Sequence, residues 1–183
     1  MTVTLFPGHG RGIPLPPGKK SFLDFLPGHQ WDMFGMPQGA NLLSWKRPMK
    51  GKAEFLEHTA DLKIRFTAES LDELLTTAAW TLGEYLYGLK PMGGDKDLEV
   101  RVEGDSDAER LVASLNEMLY LLQSKRFLIV SVGARRDADA WRLSFSGRTT
   151  DLKPETEIKA ATYHQVRYRE FKDMAEAVVV FDL

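Results

Sequence analysis

The chain has 183 residues, 24 Lys and Arg against 26 Asp and Glu, and no cysteine. That length fits one ordinary domain with an appendage and can bury a sizeable core, while the missing cysteine excludes disulfides, thiolate zinc sites, iron–sulfur clusters and cysteine nucleophiles. No apolar run approaches the roughly 20 residues a membrane helix needs, and the N-terminus lacks the apolar stretch of a signal peptide, so a soluble, cytoplasmic protein without a membrane partner is expected.

Residues 1–52 read as an irregular extension. Within residues 1–50, seven prolines (Pro7, Pro14, Pro16, Pro17, Pro27, Pro37 and Pro48) are interleaved with seven glycines, a mixture that removes backbone donors and raises the entropy cost of ordering. Arg11, Lys19, Lys20, Lys46, Arg47 and Lys50 face only Asp24 and Asp32 in residues 1–50. The remainder is therefore acidic, which argues against a broad nucleic-acid-binding face on the folded part. Phe22, Phe25, Trp31, Phe34 and Trp45 are too apolar for a plain solvated linker and are expected to cover the domain or a partner. Pro7-Gly8-His9 recurs as Pro27-Gly28-His29; a repeated turn explains two such short copies better than a metal clip.

Residues 53–183 read as the domain. Leu62, Ile64 and Phe66 alternate with Lys63 and Arg65, the period of a strand with one wet face. Ser70 and Glu73 form a capping box ahead of a helical stripe of Leu71, Leu74, Leu75, Ala78, Ala79, Leu82 and Leu86, which Gly88 and Pro91 close. Leu98, Val100 and Val102 predict a second strand. A second capping box, Ser106 and Glu109, opens a helix whose buried stripe is Leu111, Val112, Leu115, Met118, Leu119 and Leu122, with Lys125-Arg126 suited to its C-terminus. Four strands are then expected: Phe127–Val132, Trp141–Phe145, Ala161–Arg167 and Ala175–Phe181. Arg135–Asp139 reads as the turn joining the first pair, and a polar stretch runs from Gly147 to Glu157. The order β-α-β-α-β-β-β-β predicts an α+β fold with two helices on one face of a largely antiparallel sheet.

The chain end carries the chemistry. Asp182 neighbours the free α-carboxylate of Leu183, and a third carboxylate brought alongside would make a hard oxygen site of the kind that holds Ca²⁺ or Mg²⁺. Asp61 is the candidate third donor. Read alone, it is better explained as a loop or helix-cap acid. Three close carboxylates repel, raising at least one pKa unless a cation is present. His58 is a candidate to orient Asp61 from outside the ligand set, or a turn histidine bonded to nearby backbone. Lys153, Glu157 and Lys159 lie in or beside the polar loop, where contact with a partner competes with simple solvation. His164 fits a half-buried strand position better than a ligand, and Trp80, Tyr85 and Tyr120 fit the core or its margin better than a base-stacking platform.

Four segments in order resemble the archease family: Phe55-Leu56-Glu57-His58-Thr59-Ala60-Asp61-Leu62-Lys63-Ile64, Leu115-Asn116-Glu117-Met118-Leu119-Tyr120-Leu121, Glu157-Ile158-Lys159-Ala160-Ala161-Thr162-Tyr163-His164, and the terminal Val180-Phe181-Asp182-Leu183. The resemblance implies an activator, not an enzyme: a protein that promotes guanylylation and repeated turnover of the GTP-dependent RNA ligase of the RtcB type. That ligase joins 2′,3′-cyclic-phosphate or 3′-phosphate RNA ends to 5′-hydroxyl ends in tRNA splicing and RNA repair. It further implies that RNA is met only through the ligase, and that Asp61, Asp182 and Leu183 hold a divalent cation, Ca²⁺ first, with Mg²⁺ or Mn²⁺ as alternatives. The extension before Ala53 departs from the compact family pattern. Two other classes fit the residues: a chaperone or modulator of an RNA-modifying enzyme such as a tRNA methyltransferase, and a metal-dependent hydrolase using the acidic site to activate water.

Overall fold

The structure, a computed structural model, describes residues 50–56 and 61–183. Among these residues the chain forms β1 (Lys52–Leu56), β2 (Leu62–Ala68), α1 (Leu71–Tyr87), β3 (Lys96–Glu103), α2 (Asp107–Gln123), β4 (Phe127–Arg136), β5 (Ala140–Thr149), β6 (Ala160–Phe171) and β7 (Met174–Asp182). This is the expected α+β class, with two differences in the strands. β1 is an additional strand, its Ala53 and Phe55 turned to the core; two inward residues are too few to show a period. The strands also divide into two antiparallel sheets, ordered β1-β2-β7-β6 and β3-β5-β4. Alternation reveals that a strand has a wet face but not which neighbour it pairs with.

Both helices start where a serine closes the first turn. Ser70 Oγ accepts from Glu73 N at 3.3 Å and Ser106 Oγ accepts from Glu109 N at 3.2 Å, satisfying a donor the helix cannot satisfy itself. The reciprocal half of each box is shifted by one residue: Glu73 accepts from Glu69 N and Glu109 from Asp105 N. Glu73 also accepts from Lys50 N at 2.7 Å, tying the chain ahead of β1 to α1. Gly88 ends α1 in the left-handed region at φ 66, where only glycine avoids a Cβ penalty. α2 stops at Gln123, so Lys125 lies past its end, its ammonium 5.3 Å from the centre of the Tyr120 ring.

The two apolar stripes, Leu71 to Leu86 and Leu111 to Leu122, are buried as their spacing predicts. With Phe66, Phe127, Trp141, Phe145 and Phe181 they form one core cluster that draws on both sheets. Gly147 is required by close approach, because a Cβ there would stand 2.3 Å from the Leu128 carbonyl oxygen. Arg136, Tyr168 and Glu170 bond to one another and so join β4 to β6. Burial, and then the charge and hydrogen bond of Glu170, push the Tyr168 phenol well above its ordinary value.

Helix side chains finish two of the sheet edges. Asp72, Thr76 and Trp80 recur every four residues on α1, and they meet alternate residues of β4. Asp72 Oδ1 accepts from Ala134 N at 3.1 Å, Thr76 Oγ1 accepts from Val132 N at 2.9 Å, and Trp80 Nε1 donates to Val130 O at 2.7 Å. On α2, Asn116 and Gln123 do the same for the β6 side of the other sheet. Asn116 accepts from Ala161 N and donates to Ala161 O, and Gln123 accepts from Ile158 N and donates to Ile158 O. Backbone groups that would template a foreign strand are thereby occupied.

Candidate metal and partner site at the chain end

β2 and β7 pair from Ala68↔Ala175 to Leu62↔Phe181. Residues opposed across an antiparallel pair project to the same face, with Cβ atoms about 4.5–5.5 Å apart. Carried one step beyond Leu62↔Phe181, this register sets Asp61 against Asp182. Ile64, Phe66, Val179 and Phe181 take the core face, so Asp61 and Asp182 belong to the outward face. The first and last long strands of the domain are neighbours, and that topology brings two acids together from 121 residues apart in sequence.

Lys159 completes the arrangement. Its Nζ donates to a terminal oxygen of Leu183 at 2.6 Å and lies 4.0 Å from Asp182 Oδ1, while its backbone N donates to Asp182 O at 2.8 Å. Its position is set from both sides by α2, since Gln123 holds Ile158 and Asn116 holds Ala161. Among the described residues, no group of three His, Cys, Asp or Glu side chains could hold a metal ion. Within the described residues, a cation here would draw on the Leu183 α-carboxylate beside the two aspartates. The donor set already attracts a positive charge in the form of the Lys159 ammonium. That side chain is 61% exposed, so it can swing away, and the oxygens present fit a hard divalent ion whose remaining positions go to water or to a partner's group.

Glu157 and Lys159 line a cleft of about 720 Å³ between the second half of α2 and residues 154–159, together with Asn116, Tyr120 and Gln123. Lys153 is exposed immediately before this wall. His58 lies outside the described residues.

Two expectations are corrected. Tyr120 is 46% exposed on the cleft rather than in the core or at its margin, because the stripe of α2 turns its neighbours Leu119 and Leu121 inward instead. His164 is exposed rather than half-buried. The β6–β7 register jumps from Thr162↔Val180 to Arg167↔Val178, so Tyr163 to Val166 bulge out of the ladder and Gln165 takes φ 54. The clamping role of Asn116 and Gln123 was not singled out in the sequence: two amides two helical turns apart on one flank of α2 hold backbone, and only the placement of Ala161 and Ile158 opposite them reveals it.

Comparison with known proteins bears on what this arrangement serves. The model of the Archease protein family (MTH1598/TM1083) matches residues 54–183. The chain belongs to the archease family. It is 29% identical over 138 residues to protein archease of Methanosarcina barkeri, covering 71% of this chain and 94% of that one. To protein archease of Methanosarcina acetivorans it is 30% identical over 145 residues, covering 74% and 99%. The solution structure of Methanobacterium thermoautotrophicum protein 1598 matches with a TM-score of 0.55 at 20% identity, over 72% of this chain and 98% of that chain, which shows the shared archease fold. Among the described residues no helix is long and apolar enough to cross a membrane.

Proposed function

We propose that this archease is a non-catalytic activator of an RtcB-type RNA ligase, and that Asp61, Asp182 and the Leu183 carboxylate hold a divalent cation through which it acts. The observation that carries the reading is the Lys159 ammonium 2.6 Å from the terminal oxygen of Leu183 and 4.0 Å from Asp182: the chain end is built to collect positive charge. A bound Ca²⁺, Mg²⁺ or Mn²⁺ would supply concentrated charge with open coordination positions, suited to phosphate groups in a partner's active site. The chain's own contribution is placement. β2 and β7 present the aspartates on one face, α2 fixes Ile158 and Ala161 on either side of Lys159, and Lys159 balances the carboxylates when no metal is there. Glu157 and Lys153, beside the same cleft, offer contacts to the ligase, and His58 is a candidate to orient Asp61.

The test is a ligation assay with the ligase limiting, using RNA with 3′-phosphate and 5′-hydroxyl ends. Added protein should raise product beyond one turnover per ligase, and Asp61→Ala or Asp182→Ala should remove the stimulation while circular dichroism remains that of the wild type. Equal stimulation by wild type and both variants would contradict the site. Turnover of phosphodiester substrates without ligase would point instead to a hydrolase.

A further inference from the structure

The outward face of the four-stranded sheet carries charge that the chain-end site does not use. By strand alternation this face presents Lys52 and Glu54 from β1, Lys63, Arg65 and Thr67 from β2, Glu176, Val178 and Val180 from β7, and Thr162, Arg167 and Arg169 from β6. Five cations thus share the face with Glu54 and Glu176, and the acids Asp61 and Asp182 stand at one end. Arg65 is paired with Glu54 at 2.7 Å. Arg167 and Arg169 are exposed and, among the described residues, form no ion pair.

Beneath the cations the face is sealed. Val178 and Val180 are 7% and 2% exposed, yet they point away from the core cluster. Long basic side chains that lay their stems on apolar surface keep their charged heads at the water boundary. Arg65 and Arg167 flank Val178 from its two neighbouring strands, and Lys63 flanks Val180. Lys63 Nζ also donates to Gln165 Oε1 at 2.8 Å, drawing the β6 bulge over this face. Gln165 sits at φ 54, a conformation non-glycine residues adopt rarely and mostly where the site needs it. The same bulge leaves Tyr163 61% exposed. Cations in rows on a sheet whose edge strand, β6, also exposes an aromatic are what single-stranded RNA requires, phosphates being neutralised while a base stacks. An acidic protein surface would use the cations but leave the aromatic without a role.

We propose that this sheet face binds single-stranded RNA directly, with Lys63, Arg65, Arg167 and Arg169 on backbone phosphates and Tyr163 stacked on a base. The inference goes beyond the ligase reading and does not depend on it. It is local, so the acidic balance of the domain does not oppose it.

The experiment is fluorescence anisotropy of a labelled oligouridylate with the full chain, over a salt series and without ligase. Arg167→Ala/Arg169→Ala should weaken binding at least tenfold and reduce the slope of log K against log salt by about 1.4, two phosphate contacts at roughly 0.7 each. Tyr163→Ala should weaken binding about fivefold or more. All three side chains are exposed, and circular dichroism verifies that each variant folds. Absence of RNA binding by the wild type overturns the proposal, as does binding unchanged in the arginine variant, which would assign it to the basic residues 1–50. Loss in the arginine variant with no effect of Tyr163→Ala, and equal competition by polyglutamate, would identify an acidic-protein surface and equally overturn it.

Discussion

The ammonium of Lys159 donates to the terminal carboxylate of Leu183 at 2.6 Å. A lysine and a divalent ion are then competitors for the same oxygens. Because the lysine head is largely solvated, its hold is of the order of an exposed ion pair, about 0.2–1 kcal/mol.

Lys159→Met should therefore bind Ca²⁺ more tightly than wild type, by roughly 1.5- to 5-fold on that scale. Isothermal titration calorimetry measures it. Weaker binding by the variant would mean that Lys159 supports the ion site instead of competing with it.

The amide clamps on β6 should be expensive to remove. Asn116→Leu leaves both Ala161 N–H and C=O without their partner, and an unsatisfied buried polar group costs about 1–3 kcal/mol. Urea unfolding should show a loss of that order. Because Ala161 pairs with Phe181 and its neighbour Ala160 with Asp182, loosening β6 there should unsettle Asp182 and lower metal affinity as well, whereas Thr76→Val, which strips the corresponding contact from Val132 on β4, should cost stability alone.

Much of this fold is legible before any coordinates. Leu71 to Leu86 and Leu111 to Leu122 have helical spacing because burying one stripe is what stabilises such helices, and Ser70 and Ser106 announce their starts. Asp182 stands out because its neighbour is a chain terminus. The rest depends on pairings between distant residues. Nothing local in Thr162-Tyr163-His164-Gln165 shows that β6 leaves the ladder there, since the bulge is defined by Val178 and Val180 on another strand. Asn116 reads as a polar interruption in a helix until Ala161 is placed opposite it. Lys159 gave no sign of its partner, because an exposed lysine in a polar loop has no periodicity to follow.

Acid should loosen the N-terminal side of the domain first. Burial raises the Glu73 carboxyl, but the amides of Lys50, Glu69 and Gly51 outweigh it and hold the group below its ordinary value of 4.5. With the folded pKa depressed, the stabilisation is present above pH 4.5 and is lost as pH falls through the folded value. Glu73→Gln should therefore be less stable than wild type near neutrality, and the difference should shrink below pH 4.5. Urea midpoints at pH 3 and pH 6 give the comparison, and a difference that grows in acid would contradict the assignment.

The central claim is that the terminal oxygens of Leu183 are themselves donors, and such donors can be altered without changing a side chain. A short Gly-Ser tail after Leu183 converts the carboxylate to a neutral amide and adds bulk where the ion sits, while a tag of equal length at the N-terminus leaves it alone. Ligase stimulation measured for the two proteins side by side, with ligase limiting and Ca²⁺ or Mn²⁺ present, tests this most directly. The account predicts that the C-terminally extended protein stimulates poorly and binds metal weakly with its melting transition intact, and that the N-terminally tagged protein behaves as wild type. Full stimulation by the C-terminally extended protein would contradict it.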